Sequence, residues 1–287
     1  MKEILVVANR TLGGEKLLDA VRQRASAGDA RFRLVVPQSK PSSGLVIYAE
    51  AVRESAQVRV DLALSTVAAE GIEATGEVGD ADPFSATMDA VAARRPDEII
   101  VSTHPAVHSG WLRRDLIARI ENASGLPVQH VVVDLDEEGL PFQVTLVVAH
   151  KTSSGEELIE YLKRKATHGG GGTQPGGLGH LFIAVVPQLD GSGSAPREAR
   201  ERLARMLDRL REAGLLSSGM IGDPDPYTAV MNALELFRVD DVVISTLPGE
   251  RSGWMRSKLI ERLQGAVSVP VEHVIVDPQA STTASAA

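Results

Sequence analysis

Short apolar runs rich in β-branched residues alternate along the whole chain with longer amphipathic stretches, the pattern of repeated strand–helix–strand units. In the first half the runs predict strands at Glu3–Ala8, Phe32–Val36, Glu73–Glu77, Glu98–Ser102 and Val128–Asp134. They are apolar almost throughout rather than alternating, which fits a parallel sheet covered by helices on both faces. Ala199, Leu203, Met206, Leu207 and Leu210 fall at three-and-four spacing and predict a helix. The Arg and Glu residues around them, within Arg197–Glu212, are expected to form its solvated face. Asp82-Pro83 and Asp225-Pro226 predict helix starts, an N-cap carboxylate followed by proline at the first helical position.

The pattern repeats. Ile4–Thr11 recurs as Thr145–Thr152, and Val35-Val36-Pro37-Gln38 as Val185-Val186-Pro187-Gln188. Gly79-Asp80-Ala81-Asp82-Pro83-Phe84 recurs as Gly222-Asp223-Pro224-Asp225-Pro226-Tyr227. Ser109-Gly110-Trp111-Leu112-Arg113 recurs as Ser252-Gly253-Trp254-Met255-Arg256, and Pro127–Asp134 as Pro270–Asp277. Matches in one order at nearly constant offset mark a duplication. Two domains are expected, over 1–139 and 142–278. The second copy carries a Gly-rich insertion over 168–180, expected as a flexible loop between its first helix and second strand, and 279–287 is expected as a disordered tail.

Composition narrows the function. The chain has 287 residues, a formal charge of −8 and no cysteine, which sets aside thiolate chemistry and cysteine metal sites. The acidic balance argues against a nucleic-acid partner, and no run is long and apolar enough for a membrane span. The opening Met1-Lys2-Glu3 and the short apolar run behind it do not fit a secretory signal, so a cytoplasmic location is expected.

A first strand ending in Asn9 or His150, the Gly-Asp-x-Asp-Pro turn, and Ile99-Ile100-Val101-Ser102-Thr103-His104 with Val242-Val243-Ile244-Ser245-Thr246-Leu247 together resemble the universal stress protein family. The resemblance spans essentially the whole chain as two tandem domains. It implies two five-stranded parallel doubly wound sheets of order 3-2-1-4-5, a Rossmann-like fold of the adenine-nucleotide α-hydrolase type. It also implies stress-response function, binding of ATP or another adenine nucleotide, and an intramolecular pairing of the two domains through their fifth strands, with a further homodimer open. The family holds nucleotide phosphates on a Gly-x-x-Gly loop followed, nine residues on, by Gly and then Ser or Thr. Here Glu250-Arg251-Ser252-Gly253 and Val107-His108-Ser109-Gly110 keep only the last glycine of the loop, and Ile120-Glu121 and Leu263-Gln264 stand at the downstream positions. The aspartate usual after the first strand is replaced by Asn9 and His150.

In an open parallel sheet a ligand sits beyond the carboxyl ends of the strands where strand order reverses, between strands one and four of this topology. Asn9, Arg10 and Thr103 belong there in the first copy, and His150, Lys151 and Thr246 in the second. The fourth helix of each copy is expected to begin near Ser109-Gly110 or Ser252-Gly253, offering free amides, with Arg113 or Arg256 in its first turn. A cation there opposes the helix dipole, so basic residues gathered twice around one cleft suggest a small anionic ligand, possible in each half. The competing reading pairs these arginines with local acids or turns them to solvent. Trp111 and Trp254 either cover a ligand base or pack the helix start, and packing is the expected role.

His104 is Leu247 in the other copy, so a reaction shared by both halves cannot need it. His130 and His273 lie inside apolar strands and are expected to be structural. Asp80/Asp82 and Asp223/Asp225 are expected as turn and cap rather than magnesium ligands, and the two histidines of the insertion are not read as a metal pair. No nucleotide-hydrolysing, nucleotidyl-transfer or nucleophile-elbow motif is present. The expectation is a non-enzymatic regulatory protein with one small-ligand cleft per half; the alternatives are an interaction module that binds no nucleotide and, behind it, an enzyme acting on nucleotides.

Overall fold

The computed structural model describes residues 1–39, 49–105, 115–153, 155–168, 179–188, 194–248, 254 and 258–277. The chain divides into two compact units, drawn chiefly from either side of the step from Pro141 to Phe142. In the first unit the strands are β1 (Lys2–Val7), β2 (Ala30–Pro37), β3 (Ala74–Gly79), β4 (Glu98–Thr103) and β5 (Val128–Val132). Its helices are α1 (Glu15–Ser26), α2 (Ala49–Ala69), α3 (Pro83–Ala93), α4 (Leu116–Ser124) and the single turn α5 (Leu135–Glu138). The second unit has β6 (Gln143–Val148), β7 (His180–Pro187), β8 (Leu216–Gly222), β9 (Asp241–Thr246) and β10 (Val271–Ile275). Its helices are α6 (Glu156–His168), α7 (Ala195–Glu212), α8 (Pro226–Leu236) and α9 (Leu259–Gln264).

Each unit is one all-parallel five-stranded sheet, ordered β3-β2-β1-β4-β5 in the first and β8-β7-β6-β9-β10 in the second. Strand β1 shows why its sequence is apolar at every position. Ile4 and Val6 pack with Leu17, Leu18 and Val21 of α1 and with Ala63 and Val67 of α2. Leu5 and Val7 face the other way, onto Ala86 and Ala90 of α3 and onto Leu116 and Ile120 of α4. Both faces of the pleat are therefore dry, as a doubly covered parallel strand requires.

The duplicated motifs have physical reasons. Asp82 caps α3, accepting from the Ser85 amide and hydroxyl at 3.0 Å each, and Asp225 caps α8 through Thr228 at 3.0 and 2.8 Å. Asp80 and Asp223 accept from the amides of Asp82 and Asp225 at 2.8 and 2.9 Å and close the turn before each cap. A side chain on Gly79 would meet Ala86 Cβ at 2.7 Å, and one on Gly222 would meet Ala229 Cβ at 2.8 Å, so α3 and α8 pack on bare backbone. Arg119 lies 4.2 Å from the Phe84 ring centre and Arg262 4.5 Å from that of Tyr227, a cation–π contact tying α3 to α4 and α8 to α9.

Three local expectations are adjusted. Strand β5 ends at Val132, short of Asp134, because the Asp134 carboxylate accepts from the Asp136 amide and starts α5. His180 is a strand residue rather than part of the insertion: its Nε2 lies 2.7 Å from Thr145 Oγ1 and its ring stacks on Phe182 with centroids 4.5 Å apart. Arg202 of α7 is not on a wet face; its side chain is 18% exposed. The glycine run after His168 and the tail over 279–287 lie outside the described residues. Among the described residues no helix is long and apolar enough to cross a membrane, and no group of three or more His, Asp and Glu side chains could hold a metal ion.

Candidate functional site

The strand order reverses beside β1 and β6. Val7 is level with Val101 of β4, and Val148 with Ile244 of β9. Two residues further on, the chain places Asn9 beside Thr103 and His150 beside Thr246, at the mouth of the crevice in each unit.

In the first unit Asn9 is anchored rather than open. Its Nδ2 donates to the Pro37 carbonyl at 3.1 Å and to Ser39 Oγ at 2.6 Å, joining the ends of β1 and β2. Its Oδ1 is buried and has no hydrogen-bond partner among the described residues. Thr103 Oγ1 is also engaged, donating to the His104 carbonyl at 3.0 Å and lying 2.8 Å from His130 Nε2. With its proton committed to that carbonyl, Thr103 accepts from His130, which fixes the imidazole as the Nε2–H tautomer. Burial holds the His130 pKa below its ordinary value.

The positive charge of this notch comes from two elements. Arg10 leaves the end of β1 and is exposed. Arg59 comes from the middle of α2 and is only 4% exposed. Burial, and secondarily the charge of Arg10, lowers its pKa to about 10, so it remains a guanidinium at neutral pH. Burial and a second cation both act against the charged form of Arg59.

The second unit repeats this pairing with different neighbours. His150 stands where Asn9 stands, and its Nε2 is buried without a hydrogen-bond partner among the described residues. Its ring centre lies 6.3 Å from that of Trp254, tilted by 34°. Arg202, from α7, donates through Nη2 to Glu198 Oε2 at 3.0 Å, while its Nη1 is buried and unpartnered among the described residues. Burial first, then the charges of Arg202 and Lys151, lowers the His150 pKa to about 4 against a weaker opposing effect of Glu198. Thr246 Oγ1 lies 2.7 Å from His273 Nε2, repeating the first unit, and Thr152 Oγ1 donates to the Ser245 carbonyl at 3.1 Å. Ser102 and Ser245, one residue before these threonines, are each 1% exposed, and neither hydroxyl has a partner among the described residues.

Of the residues expected at the clefts, Asn9, Arg10, Thr103, His150, Lys151 and Thr246 are thus placed at the strand ends. Ser109, Gly110, Arg113, Ser252, Gly253 and Arg256, together with Trp111, lie outside the described residues. Sequence reasoning missed Arg59 and Arg202. They stand at the same offset as Gly71 and Gly214 that close their helices, so the repeat carried a signal. For Arg202 it was hidden because the arginines of an Arg- and Glu-rich helix read as solvated.

Comparison with known proteins adds little to this geometry. No family model matches the chain, and no curated protein matches it. Among solved structures, a universal stress protein from Archaeoglobus fulgidus is 15% identical, with 97% of each chain covered and a TM-score of 0.35. A histidinol dehydrogenase from Elizabethkingia anophelis is 13% identical, covering 96% of this chain and 53% of that one, with a TM-score of 0.26. The enzyme WbmH of Bordetella bronchiseptica, solved with NAD+, is 9% identical over 99% of this chain and 91% of that one, with a TM-score of 0.23. Likenesses this weak bear on neither fold nor function, and the fold class rests on the strand order and register.

The nucleotide pattern of the resembling family can be tested on the residues present. Its Gly position holds Ile120 and Leu263, each 0% exposed, and its Ser or Thr position holds the exposed Glu121 and Gln264. A carboxylate repels a phosphate, and the Gln264 Nε2 already donates to the Val271 carbonyl at 3.4 Å, so these positions do not fit that mode of holding a triphosphate. The guanidiniums, the ammonium and the imidazole can instead neutralise and hydrogen-bond one small oxyanion in each notch.

Proposed function

We propose that this is a non-enzymatic sensing or regulatory protein of the universal-stress type, and that each of its halves holds a small anion at the carboxyl end of its first strand. One observation carries the reading: in the second unit His150 Nε2 and Arg202 Nη1 are buried without a hydrogen-bond partner among the described residues and the charges of Arg202 and Lys151 both act on His150, while in the first unit Arg10 acts on the buried Arg59. Gathering cations twice at one notch costs desolvation and repulsion, and a bound anion offsets both. The repeated turn and strand motifs support the family reading. Glu121 and the engaged Gln264, where the pattern has Ser or Thr, favour a ligand smaller than a nucleoside triphosphate.

The test is thermal unfolding of the full chain with sulfate, inorganic phosphate, AMP and ATP. A ligand that binds only the folded state stabilises it by about 2.7 kcal/mol at a hundred times its dissociation constant. Phosphate or AMP should raise the transition temperature of the wild type, and the Arg59→Met/Arg202→Met variant should lose that response. If no anion moves the transition, the second reading gains: an interaction module that binds no nucleotide. The Asn9 amide and the Thr103 and Thr246 hydroxyls, already engaged within the protein, favour that reading.

A further inference from the structure

The two notches differ at one position that changes their chemistry, Asn9 against His150. We propose that the second unit's notch is a proton-coupled oxyanion site. Arg202 and Lys151 draw a phosphate, sulfate or carboxylate group against His150 Nε2, and His150 gains a proton as the anion binds. The first unit binds its anion without proton exchange. This rests on the reading of the notches as anion sites.

The geometry supplies the parts. His150 Nε2 and Arg202 Nη1 are both buried, and both lack a hydrogen-bond partner among the described residues. Such atoms are costly to leave unmet and mark where a polar ligand atom belongs. The Trp254 ring centre lies 6.3 Å from that of His150, tilted by 34°. Among the described residues, the charged groups His150 feels are Arg202 and Glu198 of α7 and Lys151 beside it in the chain. Two of these three are cations, and they raise the cost of a third.

Proton coupling follows from the causes of the depressed pKa. Burial and the two cations hold the free imidazole near 4, so it is neutral at pH 7. An oxyanion between Arg202, Lys151 and the ring cancels the cationic effect and accepts a hydrogen bond from Nε2–H, both of which favour the imidazolium. The liganded pKa therefore lies above the free one. By linkage the affinity rises as pH falls through the liganded value and levels off below about 4. Each unit between the two pKa values multiplies the affinity by about tenfold at the acid plateau. Asn9 does not titrate in this range, and its Nδ2 is spent on Pro37 and Ser39. Glu198 works against the anion from the outer side of Arg202, so Glu198→Gln should tighten binding.

The decisive experiment is calorimetry of the full chain with sulfate, whose charge is fixed across the range, at mildly acid pH in two buffers of different ionisation heat. The wild type should take up a proton fraction per second-unit site that is absent in His150→Asn, whose second notch should bind sulfate more weakly than the wild type at acid pH and with a flat pH profile. AMP compared with inorganic phosphate then tells whether a nucleoside resting on Trp254 adds affinity or the oxyanion alone is read. Sulfate binding with no buffer dependence, or uptake that persists in His150→Asn, overturns the proton coupling and leaves the anion sites standing. No sulfate, phosphate or AMP binding to the wild type at any pH overturns both.

Discussion

Thr103 Oγ1 lies 2.8 Å from His130 Nε2, and the same pair recurs in the other unit as Thr246 and His273 at 2.7 Å. Each bond joins the last residue of an inner strand to the middle of the edge strand beside it, just below the crevice. It tells why a histidine sits in an otherwise apolar strand: its Nε2 partners the buried threonine hydroxyl, and in the first unit it is the donor.

Thr103→Val therefore leaves the His130 nitrogen in a half-buried place without its partner. The expected loss is about 1–3 kcal/mol, the usual cost of stranding one buried polar group. Urea unfolding monitored at the first unit would measure it. Thr103→Val combined with His130→Leu should recover most of the loss, and a double variant no better than the single one would assign the bond no structural weight.

Acid should destabilise the protein before its carboxylates titrate. His130, His150, His180 and His273 are all held below the ordinary imidazole value, in each case chiefly by burial. An unfolded histidine titrates near about 6.5, so below that pH the unfolded chain binds more protons than the folded one. Stability is thus complete above that value and is lost as pH falls, for His150 down to about 4. Transition temperatures between those limits should fall with acidification, and His150→Asn should flatten the slope.

The starts of α1 and α6 tolerate no side chain at their caps. A Cβ on Gly14 would stand 2.3 Å from Val133 Cγ1, and one on Gly155 would stand 2.3 Å from Val276 Cγ1. Gly14→Ala should cost about 1–3 kcal/mol by overpacking. Adding Val133→Ala should return part of it if the clash is the cause, which a denaturation cycle over the two sites would show.

Removal of the repeated caps should weaken both units alike. Asp82→Ala and Asp225→Ala each forfeit an amide and a hydroxyl hydrogen bond at the first turn of α3 or α8. About 0.5–2 kcal/mol is expected for each, read from the shift in denaturation midpoint at unchanged slope.

Much of this was legible in the chain alone. Apolar runs without alternation announced buried parallel strands, because a strand covered on both faces has no position to spare for water. Repetition of Gly79-Asp80-x-Asp82-Pro83 as Gly222-Asp223-x-Asp225-Pro226 announced two like units, because the cap, the turn and the bare backbone under α3 and α8 are each met by one residue type. Those are local demands, and local sequence satisfies them.

The candidate site was legible only in part. Asn9 and His150 could be placed from the strand ends, since chain order fixes where a strand stops. The roles of Arg59 and Arg202 could not, because whether a helical arginine meets water or another cation depends on how its helix rolls against the sheet. The depressed imidazole of His150 likewise arises from burial together with charges from two separate elements. The sequence by itself determined the strands, the caps and the duplication, each written in a local pattern of residues. Only the tertiary structure decided which charges share a notch, because electrostatic coupling follows distance through space and not along the backbone.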